Sequence, residues 1–225
     1  MGEYVDLLRS LPKVKRDLAG RKADKSSKVV LIARQFGRDY FDGDRKYGYG
    51  GYHYDGRWQP VARDILQYYD FGGGARILDV GCGKGFLVRD LVLHACPGTG
   101  TGADAYGLDI SRYALTNCHP DVVGRLHLGS ADDLPFPDKS FDLVLSINAL
   151  HNLPRPRLIW ALREMVRVSQ GPMFVQVDSY RTPEEKALFE DWVLTAKWHG
   201  YPDDWLALFA EAGYDGDYGW TIVGE

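Results

Sequence analysis

Three glycines at alternate positions, Gly81, Gly83 and Gly85, follow directly on the apolar run of RILDV in RILDVGCGKGFLVRDL, and a carboxylate, Asp79, lies inside that run. Glycine has no Cβ, so a turn built this way lets the backbone approach a ligand closely. The spacing is GxGxG. A dinucleotide fingerprint would need glycine where Phe86 stands, and a phosphate loop would need GKS or GKT where the chain reads GKGF. A second carboxylate, Asp109, ends the apolar run AYGLDI. Downstream, NALHNL carries His151, whose ordinary pKa suits a general base. DSYR supplies Asp178, Tyr180 and Arg181, and WVLTAKWHGYP supplies Trp192, Trp198, His199 and Tyr201. YGYGGYHYDGRW, residues 47–58, sets four tyrosines, His53 and Trp58 among four glycines. Such a stretch is either a surface loop held by its own rings or a lid that closes on a ligand.

The glycine turn needs a strand before it and a helix after it, and the pattern provides both. RILDV (76–80), AYGLDI (105–110), RLHLG (125–129), FDLVLSI (141–147), PMFVQV (172–177) and YGWTIVG (218–224) read as strands. FLVRDLVLH, SRYALTN with Ser111 as cap, PRLIWALREMVRV and DDWLALFAEAGY closed by Gly213 read as helices between them. This alternation predicts an α/β fold with a doubly wound, mostly parallel sheet, whose ligands sit outside the carboxyl ends of the strands. A further helix is expected over Trp58–Tyr69, before the break FGGG. Residues 1–46 read as helical, with YVDLLRSL and KVVLIARQF as apolar-faced stretches. The expected division is an N-terminal helical and Tyr/Gly-rich extension over 1–57 and a ligand-binding domain over 58–225.

At 225 residues, the chain has room for one sizeable domain with an extension. No apolar run reaches the ~20 residues of a membrane span, and MGEYVDLLRS lacks the layout of a signal peptide. Cys82, Cys96 and Cys118 are odd in number and lack CxxC spacing, which points to a reducing cytoplasm and to neither a disulfide framework nor a zinc site. Residues 1–46 carry a net +5 and the remainder −9. The basics are diluted by acids, so a solvated basic helix is the expectation and nucleic acid is not.

LDVGCGKG, the acidic end of YGLDIS, and SADDLPFPDKSFDLVLSINALHNL come in an order and spacing that resemble the class I S-adenosylmethionine (SAM)-dependent methyltransferases of the type 11-like kind. The resemblance covers roughly residues 72–223. It implies a seven-stranded Rossmann-like sheet that binds SAM and releases S-adenosylhomocysteine. It also implies that Asp79 holds the ammonium group at the glycine turn of Gly81, Gly83 and Gly85, and that Asp109 takes the ribose hydroxyls beside Ile110. Asp132 and the N–H of Ala131 would meet the adenine, and Asn148 would lie in the loop facing the methyl group. Asp109 stands 24 residues beyond Gly85, and the extra length is the Gly/Pro-rich HACPGTGTGADA, read as a lengthened surface loop.

Methyl transfer requires alignment, exclusion of water and, for some acceptors, removal of a proton. His151 is the expected base; Tyr180 and His199 are expected at the acceptor. Residues 47–58 precede the helix before the first strand, where this fold class commonly carries its cover. They are therefore read as a lid, with Tyr49, Tyr52 and His53 facing inward. A covered site suits a small-molecule acceptor. A SAM-binding enzyme running decarboxylation or cyclisation, an RNA or protein methyltransferase, and a non-catalytic SAM-binding regulator remain alternatives. The oligomeric state is left open.

Overall fold

The computed structural model describes residues 2–13, 16–71, 73–94 and 100–224. Cys96 and part of the HACPGTGTGADA loop lie outside the described residues. Three short helices, α1 (Leu18–Asp24), α2 (Ser27–Ala33) and α3 (Arg38–Asp42), precede α4 (Trp58–Tyr68). The strands are β1 (Arg76–Val80), β2 (Asp104–Asp109), β3 (Leu126–Leu128), β4 (Leu143–Ile147), β5 (Met173–Ser179) and β6 (Asp217–Ile222). They form one sheet in the order β3-β2-β1-β4-β5-β6, with every neighbouring pair parallel. The chain winds outward from β1 to β3 and returns at β4, so the topological switch lies between β1 and β4.

The implied seventh strand is not found among the described residues. Instead β6 pairs directly with β5, from Phe174↔Asp217 to Ser179↔Ile222. The outer edge of β6 is met by the N-terminal segment: Val5 N–H donates to Tyr218 O at 2.8 Å, and Tyr218 N–H donates to Glu3 O at 3.0 Å. Unpaired ladder groups at an edge need such partners. This pairing also corrects the expectation of a helix over YVDLLRSL. Tyr4 bridges Tyr218 in parallel, and Leu7 drops into the core beside Val61 and Ile65.

Both sheet faces are covered, so the strands are apolar almost throughout. Alternate residues serve opposite layers. Ile77, Leu145 and Phe174 pack with α4 and with α5 (Phe86–Leu93). Leu78, Val144 and Val175 pack with α7 (Arg155–Val168) and α9 (Pro202–Ala212). α6 (Arg112–Thr116) starts at Ser111, whose hydroxyl accepts from Ala114 N–H at 3.0 Å, and α9 ends at Gly213 in the left-handed region. A further helix, α8 (Pro183–Trp192), lies outside the elements the pattern predicts. Its signal was present in TPEE: Thr182 caps the Glu185 N–H, and proline occupies the first helical position. No helix among the described residues is long and apolar enough to cross a membrane.

Candidate functional site

The carboxyl ends of the strands open into a cleft of about 1080 Å³. Gly81 lines it at φ 88°, and a Cβ there would lie 2.2 Å from the Ala149 Cβ. Gly83 lines it too, at φ 57°. Gly85 does not line the cleft. Its Cβ would meet Leu126 and Val122 at 2.8 and 3.0 Å, so it lets α5 approach β3.

Two carboxylates face the turn. Asp79 is 4% exposed and lines the cleft. Burial, and then the charge of Asp109, push its pKa up to about 7. Among the described residues its side chain accepts no hydrogen bond from a protein donor. A buried acid without a donor is costly when ionised, and a cationic ligand would relieve that cost. Asp109 accepts from the Gly83 N–H and the Ser111 N–H, both at 2.7 Å. Burial raises its pKa, and these N–H groups oppose the rise. Each oxygen keeps a lone pair for a ligand hydroxyl. Ile110 and Ala131 line the same end of the cleft, with Ile110 55% exposed. The Asp132 side chain is occupied: Arg157 grips both its oxygens and Ser130 donates to one, and the Arg157 bonds hold its pKa below the usual carboxylate range. Ser130 and Arg157, rather than the Asp132 carboxylate, form the cleft wall beside Ala131.

Asn148 lines the cleft after β4 with φ 52°, a strained value for a residue with a side chain. The Gln176 amide donates to the Thr221 hydroxyl at 3.1 Å, which donates to Asn148 Oδ1 at 3.0 Å. That chain spans β5, β6 and the β4 loop, and it fixes the Asn148 side chain with its amide N–H groups unspent among the described residues.

The Tyr/Gly-rich stretch lies across this site. Tyr49, Tyr52 and His53 line the cleft. Tyr49 is 46% exposed and packs at 4.4 Å on Tyr52, which in turn stacks on Phe86 at 4.8 Å. The stretch is fastened through the glycine turn itself. Lys84 Nζ, nearly buried, bonds both Asp42 oxygens at 2.8 and 2.7 Å and Tyr52 O at 2.9 Å. Tyr113 donates to Asp42 at 2.7 Å. Arg21 donates to Lys46 O and Gly48 O at 2.9 and 3.1 Å. The motif spacing does not reveal the anchoring role of Lys84, which depends on a partner 42 residues away.

His151, Tyr180 and His199 are not brought to the cleft. Leu150 and Asn152 line it, whereas His151, 4% exposed, turns into the packing behind it. Its Nδ1 accepts from the Asp178 N–H at 3.3 Å, and its Nε2 faces Asp178 Oδ2 at 3.5 Å. Burial lowers its pKa, partly offset by Asp178. Its carbonyl accepts from Lys197 and Trp198 N–H groups, tying down the segment after α8. The Tyr180 hydroxyl and His199 Nδ1 lie 3.0 Å apart beside Phe189, in a separate apolar cluster.

An open parallel sheet with a glycine turn and acidic strand ends at its switch point is the arrangement of the Rossmann-like methyltransferase fold. Residues 78–172 match the family described as "Methyltransferase domain". The chain is 37% identical over 123 residues to a fatty-acid O-methyltransferase of Mycolicibacterium smegmatis, covering 51% of this chain and 42% of that protein. It is 34% identical over 134 residues to a demethylmenaquinone methyltransferase of Symbiobacterium thermophilum, covering 55% and 50%. The chain thus spans about half the length of the curated relatives it matches. Among solved structures, the cyclase SpnF superposes with a TM-score of 0.52 at 19% identity, covering 91% of this chain and 74% of SpnF, a likeness of fold.

Proposed function

We propose that this protein transfers a methyl group from SAM to a small-molecule acceptor. The observation that carries the reading is that Gly81, Gly83, Asp79 and Asp109 line one cleft, with the Asp79 carboxyl buried and lacking a protein donor among the described residues. These residues fit the cofactor. Asp79 suits its ammonium group, Asp109 its ribose diol, and Ile110 and Ala131 a flat base. When bound, SAM supplies an electrophilic methyl group on a sulfonium.

The chain's own residues then align and enclose. Asn148 offers amide N–H groups held in place by Thr221 and Gln176. Tyr49 and Tyr52 exclude water and present ring faces, which attract a cation by roughly 1–2 kcal/mol when desolvated. His53 is the histidine that lines the cleft, and it replaces His151 as the candidate base. His151 positions the loop after β4 and the segment after α8. The two relatives are named for a fatty acid and a demethylmenaquinone, both small molecules, and a roofed cleft suits such an acceptor.

Calorimetry should detect binding of S-adenosylhomocysteine and none of NAD. Incubation of the protein with methyl-labelled SAM and cell extract should put label into the small-molecule fraction. Failure to bind S-adenosylhomocysteine overturns the cofactor assignment. Label confined to RNA or protein overturns the acceptor class.

A further inference from the structure

The basic N-terminal segment is not simply a solvated face. Lys13, Arg16, Arg34 and Arg45 line the cleft, joined by Lys197 from the segment after α8. Among the described residues, none of these five cations has a carboxylate within 4 Å. Arg16 donates to Ile222 O at 3.0 Å, Arg34 donates to Ala196 O at 3.0 Å, and Arg45 donates to Gly48 O. These carbonyls leave the cationic charges uncompensated. Of the four carboxylates in the cleft wall, Asp79 and Asp109 stand at the β1–β2 end and Asp55 is held by Arg57. Only Asp6 remains.

The charges also converge. The guanidinium groups of Arg16, Arg21 and Arg45 lie 5.7, 4.9 and 5.3 Å from the centroid of one ring, Trp192, at the end of α8. Burial and then the charge of Arg45 lower the Arg21 pKa, while Tyr40 and Asp24 oppose the fall. Arg16 is tied to the end of β6, Arg34 to the segment after α8, and Trp192 follows β5. The cluster therefore overlies the β5–β6 half, across β4 from Asp109. A cleft lined by one sign of charge concentrates ligands of the other. Leu8, Leu11, Phe36 and Trp220 add apolar wall.

We propose that the acceptor is an organic anion, an aromatic or apolar body bearing a carboxylate or phosphate, whose anionic group is held at the corner formed by Arg16, Arg45 and Trp192. The proposal rests on the methyltransferase reading and names the acceptor class of that same cleft. Guanidinium pairs with both anionic groups, and the probes separate them.

The test uses protein saturated with S-adenosylhomocysteine and titrated with octanoate, 3-phenylpropionate and phenyl phosphate, each beside a neutral match: octanamide, 3-phenylpropionamide or phenol. At least one anion should bind about tenfold more tightly than its match, as expected of charge-assisted bonds, and binding should weaken with salt. Arg16→Gln and Arg45→Gln should each weaken it about fivefold or more while S-adenosylhomocysteine affinity stays within about twofold. Lys197→Gln, at an exposed side chain without a partner among the described residues, serves as the variant that leaves the fold undisturbed and should weaken the anion in the same direction. Equal binding of all anions and their neutral matches overturns the proposal. So does a loss of S-adenosylhomocysteine affinity as large as the loss for the anion, because the cations would then serve the cofactor's own carboxylate. If the wild-type protein does not bind S-adenosylhomocysteine, the cofactor reading fails instead, and the anion comparison is still read on the free protein.

Discussion

At the β1–β2 end of the cleft the wall is largely backbone: Gly81, Gly83, and the N–H groups that position Asp109. At the β5–β6 end it is side chains drawn from Lys13, Arg16, Arg34, Arg45, Trp192 and Lys197, which lie far apart in the chain. The first end is assembled from one strand–turn–helix unit and a neighbouring strand. The second exists only once the N-terminal extension has folded across the sheet. A site made of local backbone can be recognised from spacing, whereas a site made of converging side chains cannot.

The largest effect is expected at the backbone end. Asp79→Asn should cost about 3–5 kcal/mol of S-adenosylhomocysteine affinity, the range for removing one partner of a buried pair. In the wild-type protein the affinity should rise as pH passes through about 7, where the Asp79 carboxyl ionises; calorimetry between mildly acidic and alkaline pH should show that rise vanish in Asp79→Asn. The stability of the free protein should run the other way. The folded pKa stands above the ordinary carboxyl value of 3.8, so the folded state holds the proton longer than the unfolded chain. Between about 4 and 7 stability should fall with rising pH, by at most about 1.4 kcal/mol per unit, and Asp79→Asn should flatten the slope in thermal melts.

Asp109→Ala should lose roughly 1.5–3 kcal/mol of affinity, the range for hydrogen bonds to a charged group. Unchanged affinity at unchanged melting temperature would remove Asp109 from the site. At the boundary between the two ends, Lys84→Met should remove the ammonium that joins Asp42 to Tyr52 O and expose residues 40–58 to limited proteolysis. Wild-type protein should gain protection there when S-adenosylhomocysteine is added. Identical cleavage with and without ligand, together with full activity of Tyr49→Leu and Tyr52→Leu, would make the stretch a scaffold. The smallest change in turnover is expected at His151. His151→Gln should lower the melting temperature yet reduce turnover by less than about tenfold, short of the 10²–10⁴ typical of a lost general base. A larger kinetic loss at unchanged stability would restore His151 as the base.

Much of the sheet could be read from pattern because strands covered on both faces are apolar runs bounded by turn residues. RILDV, FDLVLSI and PMFVQV are such runs. The helix at Pro183–Trp192 is marked in the sequence by TPEE, a capping threonine followed by a proline and two acids. YVDLLRSL has an apolar spacing that serves a helix or a buried edge equally, and pairing with β6 decides between them. His151, Tyr180 and His199 follow strand ends as a site histidine or tyrosine would. Their direction is set by packing: His151 turns to Asp178, and Tyr180 and His199 turn to Phe189.

The sequence by itself determined the parallel α/β core, the glycine turn, and the carboxylates Asp79 and Asp109, because each depends on local backbone geometry and on burial that repeats along a strand. Only the tertiary structure decided that Arg157 occupies Asp132 and that Lys84 clamps the tyrosine-rich stretch through Asp42. It also gathered three guanidinium groups around Trp192 from residues 16, 21 and 45. Such contacts depend on where a folded chain brings its distant parts together, and no spacing within the chain records that.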